Sequence, residues 1–185
     1  MTGWDLPESV TVGGVDYPVN ADYRDILQII SVLGDTEMPE PTRLYVALDL
    51  FLADMDALPD SDYDAALRQM MVFINCGEEE VDQSPRPKTI DWEQDRQMII
   101  ADVNKTAGTE IRALPFLHWW TFIAFFSAIG EGRLSAVVGI REKLRKGKKL
   151  DDWERDFYRQ NGKTVDFRIK YTDSENEMLR ELLGG

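Results

Sequence analysis

The sequence holds one cysteine, Cys76, and one histidine, His118, among 185 residues. A lone cysteine excludes an intramolecular disulfide, and with it the small secreted scaffold that disulfides staple together. One cysteine and one histidine are also too few for a zinc site of the Cys/His type. Long hydrophobic runs are missing. The longest, Leu114 to Ile129, contains Pro115, His118, Thr121 and Ser127 and falls short of the roughly 20 apolar residues that span a bilayer. The start, Met1-Thr2-Gly3-Trp4-Asp5, lacks the basic and apolar regions of a signal peptide, so the expectation is a soluble cytoplasmic protein. Basic residues are scarce: 21 Lys and Arg face 34 Asp and Glu, a net charge of −13. A field of that sign disfavours loose binding to nucleic acid or an anionic membrane.

What is present is globular composition, with 43% apolar and 30% charged residues. A chain of this length buries about 70% of its unfolded surface without help from staples. The expectation is one domain over residues 1–185. Charge is unevenly placed, with 23 acidic and 7 basic side chains over residues 1–110 but 11 and 14 over 111–185. The acidic half is either one face of that domain or a separate lobe. In the second case sub-lobes 1–76 and 89–185 are joined by a loop at 77–88, which carries three glutamates and Ser84-Pro85-Arg86-Pro87.

The pattern predicts a mainly helical fold opened by a β-hairpin. Val10, Val12, Val15 and Tyr17 flank Gly13-Gly14, a pair that permits the positive φ of a tight turn. Asn20 stands where a cap belongs for a first helix bearing Ile26, Ile29, Ile30 and Leu33, with Gly34 as its stop. A second helix follows Pro41-Thr42, with Leu44, Leu48, Phe51 and Leu52 on one stripe. Ser61 with Asp64 resembles a capping box ahead of Leu67, Met70, Met71 and Ile74. Asp91 with Gln94 opens a helix closed near Gly108, and Pro115 suits the first turn of the next, Phe116 to Ile129. Further helices are expected over Leu134 to Leu144, Asp151 to Arg159 and after Ser174, with one more short strand at Thr164 to Tyr171.

Motifs for chemistry mostly fail on inspection. Asp60, Asp62 and Asp64 match the opening of a calcium loop, but Ala65 and Met71 replace its glycine and its bidentate glutamate. Gly130-Glu131-Gly132 hints at a dinucleotide loop, yet Ser135 stands in place of the third glycine and the preceding segment reads as helix. The carboxylate pairs Asp91/Asp95 and Asp152/Asp156 lie in first helical turns, where acids are ordinary. His118 reads as a core histidine hydrogen-bonded among aromatics. The expectation is no enzyme, no cofactor and no metal.

Two features remain. Phe116, Trp119, Trp120, Phe122, Ile123, Phe125 and Phe126 cover almost the whole circumference of one helix, which is buried inside its own domain or against a partner. Residues 133–149 hold seven basic side chains against Glu142 alone. They are solvated cations near a helix C-terminus, or they meet an acidic protein partner, or the acidic half of another copy by self-association, or nucleic acid. Candidate partner-binding residues are therefore Trp119, Trp120, Phe122, Arg141, Arg145, Lys146, Lys148 and Lys149.

The order of these pieces resembles a family of small bacteriophage proteins named after a "gene product fifteen". The likeness runs from Leu6-Pro7 and the hairpin Val10-Thr11-Val12-Gly13-Gly14-Val15-Asp16-Tyr17-Pro18-Val19 through Asp22-Tyr23-Arg24 and Asp91-Trp92-Glu93-Gln94-Asp95. Its most specific piece is Leu117-His118-Trp119-Trp120-Thr121-Phe122, followed by Ile140-Arg141-Glu142-Lys143 and the basic tract. The resemblance implies tail morphogenesis in the cytoplasm of an infected host, as a non-enzymatic chaperone that binds the tape-measure protein. The alternative is a nucleic-acid-binding or regulatory phage protein using residues 133–149.

Overall fold

The computed structural model describes residues 4–79 and 88–168. It is mainly helical, with an N-terminal two-stranded antiparallel hairpin. The helix expected after Ser174 and the central part of the 77–88 loop lie outside the described residues. Of the expected strand at 164–171, Thr164 and Val165 are instead the last turn of a helix, 166–168 are irregular, and the rest is outside the described residues.

Strands β1 (Ser9–Val12) and β2 (Val15–Pro18) pair with Val12 opposite Val15. Gly13 and Gly14 both take positive φ, 59° and 84°, the combination a two-residue hairpin turn needs. Helices α1 (Tyr23–Leu33), α2 (Glu40–Phe51) and α3 (Tyr63–Ile74) follow, then α4 (Arg96–Ala107), α5 (Trp119–Ser127), α6 (Arg133–Arg145) and α7 (Asp152–Val165).

Several boundaries differ from the sequence pattern for identifiable reasons. Asp22, not Asn20, caps α1: its carboxylate accepts the Arg24 N–H at 2.9 Å. Asn20 serves α2 instead, its side chain donating to the Leu50 carbonyl at the end of that helix. The expected capping box at Ser61 is absent. A 3-10 turn over Asp60–Asp62 runs straight into α3, and its own carbonyls take the N–H groups a cap would have taken. The buried stripe of α3 is Ala66, Met70 and Phe73, which leaves Met71 exposed. Helix α5 begins three residues after Phe116, because His118 is extended and bridges Asp22 just before it.

The chain gathers into two compact units that interleave in sequence, 4–79 with 103–129 and 88–102 with 130–168. Helix α4 carries residues of both. The core of the first unit is built from Val12, Ile26, Ile29, Leu48, Phe51, Met70, Phe73, Trp119 and Phe122. That of the second contains Met98, Ile99, Leu134, Val137, Ile140 and Val165, together with the buried polar pair Asp95 and Arg141.

Candidate functional site

The segment Leu117-His118-Trp119-Trp120 bonds to three helix ends of the first unit, the starts of α1 and α5 and the end of α3. Helix termini leave N–H and C=O groups without intrahelical partners, and burying those groups unpaired is costly. Asp22 and His118 face each other in a single antiparallel bridge, with Tyr23 N donating to Leu117 O and Trp119 N to Ala21 O. Each of the two caps its own helix. Asp22 also accepts the Leu117 N–H at 2.9 Å, so one carboxylate serves the start of α1 and the approach to α5.

His118 Nδ1 accepts the Trp120 N–H at 3.0 Å, and its Nε2 meets the Pro7 carbonyl at 2.9 Å. These bonds define the Nε2–H tautomer. The ring is buried against Phe73 and Trp120. Sequence reasoning placed it among aromatics but missed its capping role. Both nitrogens are engaged, so neither takes a proton from a substrate without breaking a structural bond.

The paired tryptophans finish α3. Trp119 Nε1–H donates to Ile74 O at 2.8 Å and Trp120 Nε1–H to Phe73 O at 2.9 Å, so both indoles bond to carbonyls of the last turn, Phe73 O also accepting the Cys76 N–H. The chain then turns away through Cys76 and Gly77, whose φ values of 57° and 91° are left-handed. A Cβ on Gly77 would lie 3.2 Å from the Trp120 ring. Burial pushes the Cys76 thiol up, away from the reactive thiolate, and Glu78 adds to the effect. Trp119 stacks on Phe122 at 5.6 Å and Phe122 on Tyr23 at 4.8 Å.

Trp119 and Phe122 are thus core residues, 2% and 1% exposed. Burial within the unit does not extend around the whole helix. Trp120, Ile123, Phe125 and Phe126 are half-buried and Phe116 is exposed.

In the second unit Arg141 is a buried centre. Its guanidinium spends all five N–H donors: Nε on Val165 O, Nη1 on Thr89 O and Asp95 Oδ2, Nη2 on Asp95 Oδ1 and Thr164 O. The carboxylate is gripped by both nitrogens, at 2.6 and 2.9 Å, and the Phe167 ring lies 4.1 Å from the guanidinium carbon. Asp91 holds the approach to α4 by accepting the Glu93 and Gln94 N–H groups. Burial alone would raise its carboxyl, but the Gln94 N–H, the Lys88 ammonium and the Glu93 N–H together hold it down at about 2.

The remaining motifs are also structural. Asp102 accepts the Leu134 N–H at the start of α6, and a Cβ on Gly132 would come within 2.8 Å of that carboxylate. Ser135, the residue that spoils the dinucleotide pattern, bonds back to Gly132. Asp152 and Asp156 pair with Arg155 and Arg159 along α7. Among the described residues no group of three or more His, Cys, Asp or Glu gathers to hold a metal ion. No buried side-chain nitrogen or oxygen among them lacks a partner, and none of their helices is long and apolar enough to cross a membrane.

Of the candidate partner-binding residues, Trp119, Phe122 and Arg141 are buried, Trp120 is half-buried, and Arg145, Lys146, Lys148 and Lys149 are exposed. The structure brings the two tryptophans and Phe122 together in the first unit and places the cations in the second. Arg145 and Lys146 both pair with Glu142, holding its carboxyl below the usual range.

Fold and motif together define a helical protein whose singular residues, His118 and the two tryptophans, fasten helix ends. The chain belongs to the bacteriophage Gp15 family: the family model described as "Bacteriophage Gp15 protein" matches residues 4–167. Comparison with curated proteins and with solved structures gave no match.

Proposed function

We propose that this phage protein is a non-enzymatic tail assembly chaperone that binds the tape-measure protein in the cytoplasm of the infected host. The observation that carries the reading is the family match over residues 4–167, joined to the use of His118, Asp95 and Arg141 in holding the fold. A long helical tape-measure chain exposes apolar stripes before the tube forms around it. A holding protein must cover such stripes and remain dissolved, and the net charge of −13 favours solubility. The first unit leaves Trp4, Leu6 and Phe116 exposed and Trp120 half-buried, apolar side chains able to accept varied apolar partners.

The test is co-expression with the tape-measure protein of the same phage. The expected result is a higher soluble yield of that protein and a complex that co-purifies. Folded chain that raises no yield and captures nothing would sink the reading. A second reading, nucleic-acid binding, is favoured only by the exposure of Arg145, Lys146, Lys148 and Lys149. Duplex or single-stranded binding at about 150 mM salt, lost on reversing those four charges, would favour it over the first.

A further inference from the structure

The turn between α6 and α7 gathers cations and apolar side chains on the exterior of the second unit. Arg145, Lys146, Lys148 and Lys149 are exposed there, and among the described residues Lys148 and Lys149 have no ion-pair partner. Leu144 and Trp153, 39% and 56% exposed, flank the same turn. The turn is braced: Lys143 reaches Asp151 and Glu154 at 2.9 and 2.7 Å, fastening the first turn of α7 to the last of α6. Those two carboxylates push the Lys143 ammonium up, Glu154 most strongly, so the brace stays charged at neutral pH.

The first unit carries the opposite surface. Asp54, Asp56, Asp60 and Asp64 are exposed between α2 and the start of α3, and no Lys or Arg occurs between Arg43 and Arg68. Tyr63 stacks beside the exposed Tyr45 in the same place, with ring centroids 6.4 Å apart. The imbalance extends over the whole units, with 17 acidic and 5 basic side chains in the first and 11 and 13 in the second.

We propose that the basic turn at residues 144–153 is a docking surface for a second copy of this chain, seated on that copy's acidic stretch 54–64. Each copy supplies both halves of the charge match, and each half carries exposed aromatic or aliphatic side chains to fill the centre of the contact. Joining two different patches makes the contact heterologous, so it propagates into a ring or a row of copies rather than stopping at a two-fold dimer. The charges lie at the surface, so the association weakens as salt screens them.

Sedimentation velocity of the full chain tests this without a tape-measure partner, so its failure leaves the chaperone reading standing. At about 50 mM salt the mean sedimentation coefficient rises with concentration, and at about 500 mM the association weakens about tenfold. The variant Lys148→Glu/Lys149→Glu and the variant Asp54→Lys/Asp56→Lys, altered only at exposed positions, each remain monomeric alone. Mixed, they associate, because each acidic patch again meets a basic one. A wild-type monomer at every concentration, an association indifferent to salt or to these charges, or a mixture that stays monomeric would each overturn the proposal. So would loss of an acidic partner other than this chain as the only consequence of Lys148→Glu/Lys149→Glu.

Discussion

At the scale of single residues, Arg141 and Asp95 make the sharpest prediction. A buried guanidinium with five donors and five acceptors has no spare geometry, and a compact ammonium cannot replace its planar fork. Asp95→Ala leaves that guanidinium without its countercharge and costs about 3–5 kcal/mol in urea denaturation. Arg141→Lys falls short of wild type despite keeping the charge, because it cannot reach Val165, Thr89 and Thr164 together. Equal stability of either variant would contradict the assignment. Asp91 supplies the pH dependence. Its folded-state pKa of about 2 lies below the ordinary carboxylate value of 3.8. A depressed carboxylate contributes stability that is complete above the unfolded value and disappears as pH falls through the folded one. Wild type therefore loses stability between about pH 4 and pH 2, and Asp91→Asn, already weaker at neutral pH, loses less over that window. Parallel curves for the two proteins would show that Asp91 plays no such part.

At the scale of elements, the caps carry the argument. His118→Ala removes the acceptor for the Trp120 N–H and the donor to Pro7, and a lost N-cap costs roughly 1 kcal/mol before the second bond is counted. His118→Asn keeps an acceptor near the helix start and recovers part of that loss, which thermal melts of the two variants compare directly. The hairpin, the helical content and most helix midpoints were legible in the sequence, because Gly13-Gly14, Gly34, Gly108 and Gly147 punctuate strong apolar periodicities. The N-caps of α1 and α5 were not, since they depend on distant partners. Asp22 is drawn onto α1 by its pairing with residues near 117, and α5 starts late for the same reason. The face of α3 was misread: Leu67, Met71 and Ile74 were expected beside Met70, whereas Ala66 and Phe73 are the buried ones, and packing of Phe73 against Phe51 and Trp120 makes that choice. The aromatic segment was read as a helix buried in its own domain or against a partner. Its tryptophans face the end of α3, an arrangement that needs the indole N–H groups as well as the rings. The seven basic residues at 133–149 looked alike in sequence. Tertiary context alone separates the buried Arg141 from the exposed lysines.

At the scale of the whole molecule, the proposed function of this family member is to cover apolar surface on another chain. Its acidic surface limits non-specific association while exposed aromatics remain available for binding. Trp119→Ala, which empties a core position, lowers stability by about 3–5 kcal/mol and reduces any partner capture only as far as it unfolds the protein. Phe116→Ser, at an exposed position, leaves the melting temperature almost unchanged and weakens capture. The most direct measurement is suppression of aggregation. Tape-measure protein is diluted from denaturant into buffer with and without an equimolar amount of this chain, and light scattering is followed. The account predicts that scattering stays low and a stoichiometric complex elutes from a sizing column. Scattering identical to that of the tape-measure protein alone, with this chain folded and unbound, would contradict it.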